Sequence, residues 1–288
     1  QDKEGRWKVI GLPGQKPNVD PLDRLEGFGE LQIEKARLAI RAPRLKIEMN
    51  MPRIDARVRV NGPRVRVGVS AWVERGDPPL SAVLDFQRQR RDGLLWVGGK
   101  KLSLAHWSPV VASVGVKPER GSVDLALWTQ LRDQRISQVT VQAQVTAARL
   151  RATKPIKPAD GNGEVEALAF DEIRASARWS ATANGWRIHA PQLNFTEGGK
   201  IAHLDQLVLD GGRQFSLSGR ELDLSPLAAV LSLSDRVPDS VRQFLQQSRP
   251  QAVLRDVVIS GRRDGPMRGS MAVSSLSLQA SGKRPGVS

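Results

Sequence analysis

From Ile54 to Val73 an apolar residue recurs at every second position: Ile54, Ala56, Val58 and Val60 before Asn61-Gly62-Pro63, then Val65, Val67, Val69, Ala71 and Val73 after it. Side chains two apart on a strand share a face. The period therefore predicts two antiparallel strands joined by a tight turn, with one aliphatic face and one face carrying Arg53, Arg57, Arg59, Arg64 and Arg66. The same period runs through Leu38 and Ile40, and through Leu45, Ile47, Met49 and Met51. It resumes at Val123, Leu125 and Leu127, turns near Arg132-Asp133-Gln134, and returns through Val139, Val141, Ala143 and Val145. Ile173, Ala175, Ala177 and Trp179 precede the turn Thr182-Ala183-Asn184-Gly185, with Trp186 and Ile188 beyond it, a spacing that allows the two tryptophans to pair across a hairpin. Leu207 and Leu209 lead to Asp210-Gly211-Gly212, Phe215 and Leu217 follow, and a further strand covers Val253 to Ile259 with Val257 inside it.

Two segments break the alternation and resemble each other: GGKKLSLAHWSPVVASVGV from Gly98 and SGRELDLSPLAAVLSLSDRV from Ser218. Each runs from glycine and a basic residue through Leu-x-Leu to Ser-Pro and a short apolar helix, and each is followed by a new strand. Ser108-Pro109 and Ser225-Pro226 read as N-caps followed by proline in the first helical position, with helices around Ser108–Val114 and Pro226–Leu233. An internal repeat of roughly 120 residues follows from their spacing. The chain divides into an extended lead-in at 1–30, a first β-groove segment at 31–117, a second at 118–237, and a helix with the start of a third segment at 238–288. The fold class is all-β dominated: an elongated repeating β-groove of antiparallel hairpins with a few short helices. Some 15 strands at about 4.8 Å each would span on the order of 70 Å.

Two architectures satisfy this pattern. In a β-sandwich two sheets close on each other and nothing is left to bind. In a single curled sheet the aliphatic face stays uncovered, and a long uncovered apolar face marks a ligand surface. Composition favours the second. Apolar residues make up 40% of the chain, and there are seven Trp, six Phe and no Tyr, which leaves little to cover such a face. The ligand it suits is apolar and extended, as an acyl chain is. On that reading the lipid-binding positions are Val58, Val60, Val65, Val67, Val69, Leu125, Leu127, Val139, Val141, Val145, Ile173, Leu207, Leu209, Val257 and Ile259. The tryptophans either line the groove and its rims or serve as the large core residues of a chain without tyrosine.

Charge adds an alternative. The 44 Lys and Arg against 30 Asp and Glu give +14, which calls for an anionic partner to be considered. A polyanion or nucleic-acid binder would interleave bases with exposed aromatics, whereas the arginines here alternate with aliphatic residues, so nucleic acid is not the expected partner. The chain has no Cys, which excludes disulfides and thiolate chemistry. It has no apolar run of 18 residues, and it begins with Gln1, which reads as a processed or excised segment with any membrane anchor outside it. Catalysis has little to stand on: His106, His189 and His203 lack metal-ligand spacing, no nucleophile elbow or P-loop occurs, and Asp55, Asp124 and Asp223 lie singly in strands as solvated-face residues do. No enzyme and no cofactor is expected.

The two Leu-x-Leu/Ser-Pro segments, the flanking GSVDLALWTQLRDQRISQVTVQAQV from Gly121 and IRASARWSATANGWRIHAPQLNF from Ile173 together resemble the YhdP family of AsmA-like proteins, over most of residues 20 to 275. The resemblance implies a periplasmic part of an inner-membrane-anchored envelope protein of a Gram-negative bacterium. Such proteins form long β-grooves that carry phospholipids, without catalysis, toward the outer membrane. It implies phospholipid acyl chains as ligand, an anchor outside this segment and possible envelope protein partners. A structural envelope scaffold of sandwich type is the competing reading, and it predicts no accessible apolar face.

Overall fold

The computed structural model describes residues 29–43, 47–112, 115–154, 167–262 and 265–279. The lead-in up to residue 28, Leu45, Val114 and the last nine residues of the expected third segment lie outside them. Thirteen strands are present: β1 (Glu30–Ala42), β2 (Ile47–Asn61), β3 (Arg64–Trp72), β4 (Leu80–Gln87), β5 (Asp92–Ser103), β6 (Val116–Arg132), β7 (Arg135–Ala152), β8 (Leu168–Thr182), β9 (Gly185–Glu197), β10 (Lys200–Gly212), β11 (Gln214–Asp223), β12 (Gln251–Arg262) and β13 (Met267–Ser277). They form one antiparallel sheet whose strand order is the order of the chain. Each strand pairs with the one that precedes it, as tight turns favour, and the longer connections β5–β6, β7–β8 and β11–β12 keep the same order. The helices are α1 (Ser108–Val111), α2 (Ser225–Leu233) and α3 (Asp239–Ser248). None is long and apolar enough to cross a membrane. The fold is all-β, and among the described residues no second sheet exists with which a sandwich could close.

Contacts divide the chain into two compact units, residues 1–102 with 124–137 and residues 103–123 with 138–288. In the first, the valines of β2 and β3 face each other in register: Val60 opposite Val65, Val58 opposite Val67 and Ala56 opposite Val69. The rows continue into β4 and β5 as Val65–Phe86–Gly93, Val67–Leu84–Leu95 and Val69–Ala82–Val97. In the second unit one row runs unbroken through six strands, Val139–Trp179–Ile188–Leu209–Leu217–Ile259. A parallel row, Ala143–Ala175–Leu193–Leu204–Leu222–Leu254, carries the buried Leu204 and Leu222 of that unit's core between half-buried neighbours.

Strict alternation breaks once within many strands, and the break keeps the apolar residues together. In β7 the core-facing set steps from Val145 to Ala148, and in β10 from Leu204 to Leu207. The residues absorbing the step, Ala147 (φ 49) and Gln206 (φ 52), have positive φ, as do Lys35 (φ 54), Lys101 (φ 53) and Asp256 (φ 49). These are β-bulges: one extra residue bends the strand without turning its aliphatic side away. A bulge displaces a backbone N–H from the ladder, and two carboxylates recover it. Asp55 Oδ1 accepts from Lys35 N at 2.7 Å, and Asp124 Oδ1 from Lys101 N at 2.7 Å. These aspartates are therefore structural, not merely solvated.

The two Leu-x-Leu segments share one local feature. Leu102 lies over Gly99 and Leu222 over Gly219, and a Cβ on either glycine would come within 3.0 Å of the leucine side chain. Both leucines are buried. The caps differ from expectation: Ser108 and Ser225 are the first helical residues rather than caps, and neither helix has a side-chain cap. At α2 the reason is Asp223, whose carboxylate accepts from both Ser225 N (3.0 Å) and Ser225 Oγ (2.7 Å) and so occupies the seryl hydroxyl.

On the opposite face, arginines and carboxylates form cross-strand pairs. Arg64 Nε donates to Asp85 Oδ1 at 2.8 Å, Arg187 Nε to Asp210 Oδ1 at 2.6 Å and Arg255 Nε to Glu221 Oε2 at 3.0 Å. The arginine partner is the main cause that holds Asp85, Asp210 and Glu221 below their usual carboxylate range, and Arg53 does the same for Asp55. A depressed folded pKa gives stabilisation that is present above the unfolded value, near 4, and is lost as pH falls through the folded value. The melting temperature is expected to fall on acidification below about pH 4. Half-molar salt should shrink that fall, because the pairs are exposed and screened. Thermal melts across pH at two ionic strengths check this.

Candidate functional site

The aliphatic face of the second unit is closed at one end and open at the other. At the closed end Leu224, and Leu227 and Val230 of α2, pack on Ala148, Phe170, Phe195, Leu204, Leu222 and Val257. A satellite cluster of Val116, Ala152 and Leu233 extends the closure. The phenylalanines Phe170 and Phe195 meet at 5.6 Å between ring centroids. Arg242 of α3 locks the cap from behind. Its guanidinium donates to the carbonyls of Ser232 (3.3 Å), Leu233 (3.4 Å) and Lys154 (2.8 Å) and pairs with Asp239 (3.1 Å). It is 1% exposed, while Val241 and Phe244 on the same helix face solvent.

Toward the tight turns the face is only half-buried. Val139, Val141, Ala143, Ala175, Ala177, Trp179, Ile188, Leu207, Leu209 and Leu217 all retain exposure while pointing to the side that α2 covers further along. Its outer border is aromatic. Trp186 lies directly opposite Gly211 and its indole occupies the space a Cβ there would need, 2.3 Å away. Phe215 lies over Gly261 in the same way at 3.0 Å. Glycine opposite an aromatic ring lets the ring lie flat on the neighbouring strand. Trp179 and Trp186 share this face but are diagonal neighbours: Trp179 is opposite Ile188, and Trp186 opposite Ala181. The two-residue turn sets that register, so the tryptophans face each other diagonally across the hairpin rather than directly.

The sequence-derived positions fall into the rows as follows. Val58, Val67 and Val69 lie half-buried in the middle of the first unit's face, whereas Val60 and Val65 are buried beside the turn that joins them. Leu125 and Leu127 of β6 alternate with exposed Asp124 and Trp128 and are half-buried. Val139, Leu209 and Ile259 share the six-strand row, and Val145 and Ile173 are direct partners. Val141 lies opposite Ala177, and Leu207 opposite Ala190. Val257 is 1% exposed beneath the cap, so it supports the face rather than lining it. Absent from that set are Trp179, Ile188, Leu193 and Leu217, which the pairing brings into the same rows; their alternation was legible, their neighbours were not. Trp72 sits on the other face with the Arg53 guanidinium 4.4 Å above its ring.

The arginines considered for a polyanion face are largely engaged. Arg53 pairs with Asp55, Arg59 with Glu30, and both Arg64 and Arg66 with Asp85. Among the described residues no group of three or more His, Asp or Glu is placed to hold a metal ion.

No curated protein and no solved structure matches the chain. A family model described as YhdP protein matches residues 9–288, nearly the whole length, and with it the repeated Leu-x-Leu strands, the tryptophan hairpin and the single all-β sheet: the chain belongs to the YhdP protein family.

Proposed function

We propose that the half-open aliphatic face bears the acyl chains of phospholipids, and that this chain is a section of a non-enzymatic conduit between the inner and outer membranes. Family membership suggests AsmA-like lipid transport at the level of the family. The observation that carries the finer reading is the row Val139–Trp179–Ile188–Leu209–Leu217–Ile259, six strands wide and half-exposed throughout. An acyl chain in water costs about 0.8 kcal/mol per methylene, so a 16-carbon chain costs roughly 12 kcal/mol. A continuous aliphatic strip offsets most of that at every position, and neighbouring positions of near-equal affinity let a chain slide between them. The segment would act in the periplasm, joined to an inner-membrane anchor and to envelope partners outside it.

Native mass spectrometry of the gently purified segment is expected to detect bound phospholipid, with fatty acids recovered on extraction. A lipid-free protein that also takes up none from vesicles would overturn the reading. The polyanion alternative is disfavoured by the ion pairs of the arginine face, which engage Arg53, Arg59, Arg64 and Arg66 with carboxylates.

A further inference from the structure

The tight turns of the first unit are tied to one another. Arg88 N donates to Pro63 O at 2.7 Å, joining the β4–β5 turn to the β2–β3 turn. Gln134 N donates to Arg91 O at 2.8 Å and Asp133 N to Asp92 Oδ1 at 3.2 Å, joining the β6–β7 turn to the β4–β5 turn. Three successive hairpin tips thus form one braced rim. Arg88, Arg90, Arg91, Arg132 and Arg135 crowd it, with Asp92 and Asp133 as the acidic residues of those two tips. Asp92 is taken by the Asp133 N–H, and Asp133 lies 3.7 Å from Arg91. Arg90, Arg132 and Arg135 are exposed, and among the described residues no carboxylate is placed against any of them. This differs from Arg53, Arg59, Arg64 and Arg66, each of which has one. The connection between β3 and β4 at the other end of the unit carries Glu74 and Asp77 against the single Arg75.

Directly beneath the braced tips begins the aliphatic face, with the row Val60–Val65–Phe86–Gly93. The Phe86 ring lies over Gly93, where a Cβ would come within 2.8 Å of it. Below it lie the rows of Val58, Ala56 and Ile54. From Val60 to Ile54 is about 20 Å of strand at ~3.3 Å per residue, enough to hold the roughly 15 Å of hydrocarbon that one lipid contributes to a bilayer leaflet.

We propose that this rim binds the phosphate of a phospholipid headgroup while the acyl chains of the same lipid lie on the rows below it. This rests on the acyl-chain reading above. Guanidinium groups bind phosphate oxygens through charge-assisted hydrogen bonds, and bracing of the tips lowers the entropy lost on binding. A free anion would use only the rim. A lipid uses rim and rows together.

The test compares the wild-type segment with the triple variant Arg90→Gln, Arg132→Gln, Arg135→Gln, using short-chain phosphatidylglycerol, a diacylglycerol of the same chains, and inorganic phosphate as probes. The variant should melt as the wild type does, because the three side chains are exposed and unpaired. Its affinity for phosphatidylglycerol should fall about tenfold or more, with diacylglycerol affinity unchanged. Phosphatidylglycerol bound equally by both proteins would overturn the proposal, as would inorganic phosphate competing as well as the lipid does. Failure of the wild type to bind either lipid would instead sink the acyl-chain reading on which the proposal stands.

Discussion

Leu204→Asp is expected to unfold the second unit, whereas Leu209→Asp, five residues along the same strand, leaves it folded and unable to hold lipid. Leu204 is 0% exposed and is surrounded by Leu193, Leu222 and the cluster that α2 closes. A carboxylate there has no water and no partner, a cost of several kcal/mol, and even Leu204→Ala should cost about 2–5 kcal/mol. Leu209 lies between Ile188 and Leu217 in the half-open row. Its carboxylate reaches water when lipid is absent, so the melting temperature and cellular abundance stay near normal. An acyl chain crossing it must then bury a charge or leave the strip. Val141→Asp and Val67→Asp should behave like Leu209→Asp. Melting curves, abundance and bound lipid, measured together, check the contrast. A Leu209→Asp protein that unfolds as Leu204→Asp does would mean that this face is closed.

Removing the buried guanidinium of Arg242 should cost about 3–5 kcal/mol, which is large against the total stability of an ordinary domain. The Arg242→Met side chain is close in length, but it leaves the carbonyls of Ser232, Leu233 and Lys154 without the donor that now serves all three. Ser232 and Leu233 end α2, where unpaired carbonyls concentrate negative charge that a cation offsets. Arg242→Lys keeps the charge but cannot reach several acceptors at once, so its loss should be smaller and of the same sign. The effect should be local before it is global. Amide exchange in α2 should accelerate first, because Leu227 and Val230 stay packed on the sheet only while the cap is held. Unchanged exchange in α2 with Arg242→Met would show that apolar contacts alone hold it.

Much of this was legible along the chain because the strand period is two and the turns are marked by Gly, Asn, Asp and Pro. The run from Val58 to Val69 folds as its alternation dictates, and the two Leu-x-Leu segments share the same glycine-to-leucine step at Gly99–Leu102 and Gly219–Leu222. Where local pattern is insufficient, register decides. The bulges at Ala147 and Gln206 sit at residues with no preference for positive φ, so tertiary packing holds them there. Asp55 and Asp124 look like ordinary surface carboxylates until the bulge opposite each is known. Val257 alternates with Ile259 in sequence, yet one is buried under the cap and the other is half-exposed, because closure by α2 is set by a helix about 30 residues away. Arg242 has no sequence signal at all: it is one arginine among many until the carbonyls it serves are in place.

The central claim, that one face of the sheet carries acyl chains and the other does not, is tested most directly by site-specific photo-crosslinking in cells. Val67 lies on the aliphatic face of the first unit and Val141 and Leu209 on that of the second, and Arg66, Gln142 and Val208 alternate with them on the opposite side of their strands. A photo-reactive residue at any of the first three should capture phospholipid, and at any of the second three should capture little or none. Equal labelling of the two sets, or labelling confined to Arg66, Gln142 and Val208, would contradict the account.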